Sequence, residues 1–331
     1  MHTVQISFGH LKALGGSGGL FEHAERNRPL LQHGYCLDDN GRALVVIARA
    51  ASCGIEFPPE LRDRCLDFVT SARRRNWRFR RGWDGSWKSM KSDDAVGRAL
   101  WGLGAATAEW PEPGGKQRAR ATLGESLGFT SPFWHPPAYT LLGLHAAHQA
   151  DPDGPWEAAA ARLSSLLPRP QTGLWMWPEP RLRYDNARLP EAMLAAGELL
   201  DDSRLMAEGV RLLEWLVETE TVEGHFSFTP AGGRGPGGAQ PAYDQQPLEA
   251  WAMADACLRA AAITGDRSWL SVAGTAVSWF MGNNDQGVPL YDPHTGGCYD
   301  GLTSSGVNLN QGAESTLSAL GALLGLLCFG A

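Results

Sequence analysis

Two pairs of adjacent carboxylates, Asp38-Asp39 and Asp93-Asp94, stand immediately ahead of apolar runs, and Asp38 precedes Arg42 by four residues just as Asp94 precedes Arg98. Further along the chain the polar heads Trp134-His135-Pro136-Pro137, Tyr184-Asp185-Asn186, Tyr243-Asp244-Gln245-Gln246-Pro247 and Asn310-Gln311-Gly312-Ala313-Glu314 precede similar Ala-, Leu- and Gly-rich stretches. Carboxylates that face one another across a cavity suit glycoside chemistry, in which a protonated acid serves the leaving oxygen and a second carboxylate acts as base or nucleophile. Asp39 and Asp94 are the leading acid and base candidates, with Asp244 and Glu314 next. A separation of about 6.5–9.5 Å between the two carboxyls would give inversion, and about 5–5.5 Å retention.

Such a cavity also needs groups that hold a sugar. Asp38 and Asp185 are candidate hydroxyl ligands, as are His135, Tyr184, Tyr243, Gln245 and Gln311 in the other heads. Trp83, Trp87, Trp175 and Trp177 fall in loops ahead of repeats, where aromatic faces can stack on sugar rings. Trp101, Trp215 and Trp279 fall inside helical patterns and suit core packing instead.

Six heads imply six copies of one unit. From Asp38 the anchors Asp94, Ala138, Asp185, Asp244 and Asn310 follow at steps of 56, 44, 47, 59 and 66 residues, room each time for two helices and a loop. The helix opened by Pro58-Pro59-Glu60 repeats its apolar residues Leu61, Cys65, Leu66, Phe68 and Val69 near a period of 3.6 and reads as an outer, amphipathic one, whereas Ala95 to about Ala108 is apolar almost all round and reads as an inner one. The alternation continues to Leu327, and residues 3–14 form a short helix before a glycine-rich break. The expected architecture is all-α, an (α/α)6 toroid with short β-hairpins in the loops at the active-site end, formed by residues 1–331 as a single domain. In a closed ring the inner helices run the same way, so the acidic heads converge on one mouth.

An acid before a helix also serves as an N-cap. Two features argue against that role here. Pro190 and Pro247 suit first helical turns, which places Asp185 and Asp244 upstream of the cap position, and each Asp doublet supplies one carboxylate more than a cap uses.

The totals narrow the function classes. Net charge is −7, with 29 Lys and Arg against 36 Asp and Glu, and the main basic run lies between Arg73 and Arg81. Nucleic acid is therefore not an expected partner, and the Arg run reads as the solvated end of a helix. No apolar run approaches the length of a membrane span, and no leader is visible at Met1. The six cysteines form no CxxC pair and four of them sit in apolar helical stretches, so reduced thiols in the cytoplasm are expected. No metal or cofactor is called for.

Three segments carry a resemblance. Phe21-Glu22-His23-Ala24, the run His33-Gly34-Tyr35-Cys36-Leu37-Asp38-Asp39-Asn40-Gly41-Arg42-Ala43-Leu44 and the ending Asn310-Gln311-Gly312-Ala313-Glu314-Ser315-Thr316-Leu317 resemble a bacterial family of six-hairpin toroids. Its members occur alone or attached to retaining-type glycosyltransferase domains, near genes for mannoside-processing enzymes. The resemblance implies carbohydrate processing in the six-hairpin glycosidase group. The chain lacks a glycosyltransferase domain, so transferase activity does not carry over. The leading expectation is a glycoside hydrolase acting on a mannose- or glucose-containing oligosaccharide with inversion.

Other occupants of this fold make different demands. A sugar epimerase of the acylglucosamine epimerase type would use cavity histidines, for which His135, His225 and His294 are available. A carbohydrate-binding module would keep the aromatic platforms without opposed acids. A lanthionine cyclase would need a zinc site such as Cys36, Cys298 and His294, and a terpenoid cyclase an acidic DxDD motif that is absent.

Overall fold

A computed structural model describes residues 5–329. The first helix, α1, spans Gly9–Leu14. Five helical hairpins with a final inner helix follow, inner and outer members alternating: α2 Leu37–Ser52, α3 Pro59–Ala72, α4 Asp93–Ala108, α5 Pro113–Gly124, α6 His135–Ala150, α7 Trp156–Ser164, α8 Arg188–Leu199, α9 Ser203–Glu220, α10 Pro247–Thr264, α11 Ser268–Ser278 and α12 Ala313–Phe329. The inner helices α2, α4, α6, α8, α10 and α12 each pack on the next, and α12 returns to α2 to close the ring. The fold is an (α/α)6 toroid. The helix expected over residues 3–14 starts at Gly9, and residues 3 and 4 lie outside the described residues.

Small residues set the ring's diameter. A Cβ at Gly104 would lie 2.0 Å from the Gly143 carbonyl oxygen, and one at Gly102 would lie 2.2 Å from that of Gly41. The backbones of α2, α4 and α6 approach too closely for any side chain at these points. Outer helices bury one stripe only, as Leu61, Cys65, Leu66, Phe68 and Val69 do on α3.

Short antiparallel hairpins decorate the loops. Tyr35–Cys36 pairs with Arg80–Arg81, tying the head of α2 to the loop before α4. Gly301–Thr303 pairs with Gly306–Asn308 and walls the mouth before α12. Among the described residues no helix is long and apolar enough to cross a membrane.

The cysteines depart from the expectation of six reduced thiols. Cys53, at the end of α2, is joined by a disulfide to Cys328 near the end of α12, 275 positions further along the chain. The bond links the first and last inner helices at the end of the ring opposite the acidic heads. Cys36, Cys65, Cys257 and Cys298 are free and buried.

Candidate functional site

The helix starts settle the capping question. In α4 the N-cap is Ser92, whose hydroxyl accepts from Ala95 N, so neither Asp93 nor Asp94 caps. In α2 no side chain caps the start. Asp185 and Asp244 lie before Ala187 and Gln246, the residues that open α8 and α10.

Arginines from the inner helices turn inward and gather the acids. Arg42 is buried, donating to Asp39 at 2.7 Å and to Glu314 at 2.5 Å. Arg98 lies 4.0 Å from Asp38, 3.7 Å from Asp94 and 3.4 Å from Asp185, and donates to the Tyr139 hydroxyl at 2.8 Å. Arg188 lies 3.5 Å from Asp185, donates to Glu191 and Asp255, and is flanked by the rings of Trp101 and Trp251. Ion pairs thus fill the barrel axis below the mouth. Removing one partner from such a set leaves a buried charge uncompensated.

Asp38 and Asp39, adjacent in sequence, do different work. They are about 100° apart around the helix, so they point in different directions. Asp38 is partly exposed at the mouth, whereas Asp39 is buried and accepts from the Cys36 thiol on one oxygen at 2.8 Å and from Arg42 on the other. Burial opposes ionisation of Asp38, but Arg42 and Arg98 prevail and hold its carboxyl below the usual range. Burial and the Asp38 charge push Asp39 up. Of the doublet, Asp38 is the more exposed carboxylate and Asp39, expected to pair with Asp94, is engaged with Cys36 and Arg42.

Two hollows open on either side of the Asp38–Arg98–Asp94 bridge. The first, about 270 Å³, is bounded by Glu22, His23, Asp38, Asp39, Asp244, Gln246, Asp300 and Glu314. Glu22 is a perturbed acid of this hollow. Burial raises its carboxyl to about 7 in spite of the Arg80 guanidinium bonded to it. Burial also raises Asp300. The second hollow, about 870 Å³, is bounded by Asp94, Phe133, Trp134, His135, Glu179, Arg183 and Tyr184. Its volume suits a small-molecule ligand.

His135 is the best-defined group of the second hollow. It opens α6 ahead of Pro136 and Pro137, which suit a first turn because their missing N–H groups would be unpaired there. The ring is sandwiched between Trp134 at 3.5 Å and Tyr184 at 4.2 Å. Nε2 lies 2.8 Å from the Tyr184 carbonyl oxygen, which can only accept, so the proton is on Nε2 and Nδ1 carries the lone pair. Burial lowers the imidazole pKa and favours this neutral form. Tyr184 donates its hydroxyl to Asp94 at 2.6 Å, and burial with the Asp94 charge raises the phenol.

The remaining sequence candidates scatter. Trp177 is fully buried and packs edge-on against Trp134 at 5.8 Å, so it belongs to the core. Trp175 packs on Trp215 and donates to the Glu179 carbonyl oxygen. Trp87 packs on Phe68 under the Arg78 guanidinium, and Trp83 is exposed outside both hollows. Gln245 is buried and bonded to Phe228 N, Ala242 O and Asp285, a structural brace, and its neighbour Gln246 faces the first hollow instead. Tyr243 accepts from Gln286, outside both hollows. Gln311 is buried beside His10, and Asp185 lies beneath the mouth between Arg98 and Arg188. Glu22 and Trp134 were not singled out as site residues. The Phe-Glu-His segment and the aromatic directly before His135 were the available signals.

Histidine and cysteine sets are equally selective. His225 is paired with Asp285 at 2.9 Å, and His294 is exposed in a hairpin turn. Among the described residues the one His, Cys, Asp or Glu group with mutual ligand spacing is Cys36, Asp38 and Asp39, not Cys36, Cys298 and His294. That group does not suit a cation: Arg42 already occupies Asp39, and burial beside two carboxylates keeps the Cys36 thiol protonated.

No protein-family model and no curated protein sequence matches the chain. Solved structures do. A cellobiose 2-epimerase from Bacillus thermoamylovorans B4167 superposes with a TM-score of 0.72 at 11% identity, covering 98% of this chain and 96% of that one. A D-mannose isomerase gives 0.69 at 9% identity, covering 95% and 93%. A GH76 α-mannanase from Bacteroides thetaiotaomicron gives 0.65 at 13%, covering 96% and 92%. The likeness is one of fold. These toroids are sugar-processing enzymes, and their chemistries differ.

Proposed function

We propose that the protein is a carbohydrate-active enzyme of the sugar epimerase or isomerase class, with its reacting centre in the hollow beside His135. The observation that carries this reading is the tautomer of His135, a neutral imidazole whose Nε2–H is committed to the Tyr184 carbonyl oxygen. Its Nδ1 is then a base of suitable strength for a proton next to a carbonyl. In the open-chain form of an aldose, Nδ1 takes the C2 proton and the C2–H electron pair forms the C1–C2 double bond, pushing charge onto the C1 oxygen. Arg98 contributes a positive field to that enediolate. Return of the proton to C1, with the O2 proton passing to the former carbonyl oxygen, gives the ketose; return to the opposite face of C2 gives the epimer. Trp134 offers the aromatic wall for a sugar ring. Two of the fold relatives carry epimerase or isomerase names.

A second reading is a glycoside hydrolase, favoured by one observation in the first hollow. Glu22 is raised to about 7 while Asp38 is held low, and carboxyls driven apart in this way suit an acid and a base. Incubation with mannose, glucose and their disaccharides in D2O separates the two. Epimerisation or isomerisation returns a sugar isomer one mass unit heavier, with deuterium at C2 or C1, whereas hydrolysis splits the disaccharide and consumes water. Hydrolysis without exchange would remove the His135 mechanism.

A further inference from the structure

Beside the second hollow lies a third, of about 350 Å³, which shares Lys91, Ser92 and Asp93 with it. Its rim carries Arg73, Arg75, Arg78 and Lys91 against the two carboxylates Asp93 and Glu125, and its walls include Trp77 and Phe129. This excess of cations stands out in a chain of net charge −7. Several arginines elsewhere are paired instead. Arg42, Arg49, Arg98 and Arg188 are each matched to carboxylates, and Arg80, within the same loop, is matched to Glu22. Among the described residues none of Arg73, Arg75, Arg78 and Lys91 has a carboxylate oxygen within 4.0 Å. Arg73 spends its donors on Ser126 and the Glu125 carbonyl oxygen, and Arg78 lies over the Trp87 ring at 4.1 Å, so both guanidiniums are fixed in place. Arg75 and Lys91 are exposed. The basic run is therefore the wall of a hollow, and not only the solvated end of a helix.

We infer that this hollow receives an anionic substituent, a phosphoryl or carboxylate group, carried by a sugar whose ring lies against Trp134 and His135. Cations without carboxylate partners next to an aromatic wall suit a phosphate or carboxylate, with the exposed Arg75 and Lys91 free to donate and Arg73 and Arg78 adding positive field. The inference rests on the sugar-processing reading of the adjoining hollow and specifies its substrate class as acidic sugars.

Calorimetric titration with mannose, mannose 6-phosphate and mannuronate tests it, the last two distinguishing phosphoryl from carboxylate recognition. At least one acid should bind about tenfold or more tighter than mannose, the effect of a charge-assisted contact, with the advantage shrinking as salt is added. The variant R75A, altered at an exposed position that lines the third hollow and not the second, should reduce the advantage and keep its affinity for mannose. Equal affinities, no measurable binding of either acid, or an advantage that R75A leaves undiminished would overturn the inference. Acid preference without turnover would remove the isomerase reading alone, and turnover of neutral sugars without acid preference would remove this inference alone.

Discussion

Asp38 and Asp94 face the same guanidinium nitrogen, Nη1 of Arg98, at 4.0 and 3.7 Å. One cation from α4 thereby holds the heads of two inner helices together at the mouth, divides the opening into two hollows, and reaches down to Asp185 as well. Acids from three repeats depend on it.

Substituting Arg98 by Ala should therefore cost about 3–5 kcal/mol, the range for breaking a buried ion pair from one side. Chemical denaturation measures this. A loss below about 1 kcal/mol, the level of an exposed pair, would mean that the bridge is not holding the heads together.

His135→Gln should lower turnover by about 10²–10⁴-fold, the contribution of a positioned base, with the fold retained by circular dichroism. In the parent protein the acidic limb of kcat/KM should fall below the ordinary imidazole value of about 6.5, because burial lowers the His135 pKa. A limb above that value would assign the titration to another group.

Burial lowers the imidazoles of His10, His135 and His145 together. In each the unfolded chain takes up a proton at a higher pH than the folded one. Their contribution is thus complete above the unfolded value of about 6.5 and is lost as pH falls through the folded values. Denaturation midpoints should decline as pH drops below about 6.5, and a flat profile between pH 7 and pH 5 would contradict the burial of these rings.

The Cys53–Cys328 bond ties the last turns of α2 and α12. Reduction, or C53S/C328S, should lower stability by about 2–4 kcal/mol, the common effect of a bond closing a long loop. Six titratable thiols in unreduced, denatured protein would remove the bond. Such a bond persists in oxidising compartments.

Glu22→Gln and Asp38→Asn test the first hollow. If the chemistry is hydrolytic, the alkaline limb of kcat/KM should lie near the Glu22 value of about 7, and each substitution should reduce cleavage by about 10²-fold or more. If it is proton transfer at His135, isomerisation should persist in Glu22→Gln.

The sequence by itself determined the ring. Six polar heads ahead of six small-residue helices, with amphipathic partners between them, leave an (α/α)6 closure as the way to bury every apolar face, and the same periodicity places the heads of α2, α4 and α12 at one mouth. It did not determine what each head does. Whether Asp38 or Asp39 faces outward depends on the phase of α2, and whether Gln245 or Gln246 faces the hollow depends on a β-bridge from Gln245 to Leu302, 57 residues away in sequence. Trp177, expected at the mouth, lies in the core, and Trp134 lines the hollow instead, because core and wall differ by the packing of one ring against another, which carries no periodic signal. The Arg98 bridge, the tautomer of His135 and the perturbed Glu22 arise from side chains of different repeats meeting on the barrel axis. Those meetings are fixed by the ring's diameter, hence by backbone contacts such as Gly104 on Gly143, and only the tertiary structure decides them.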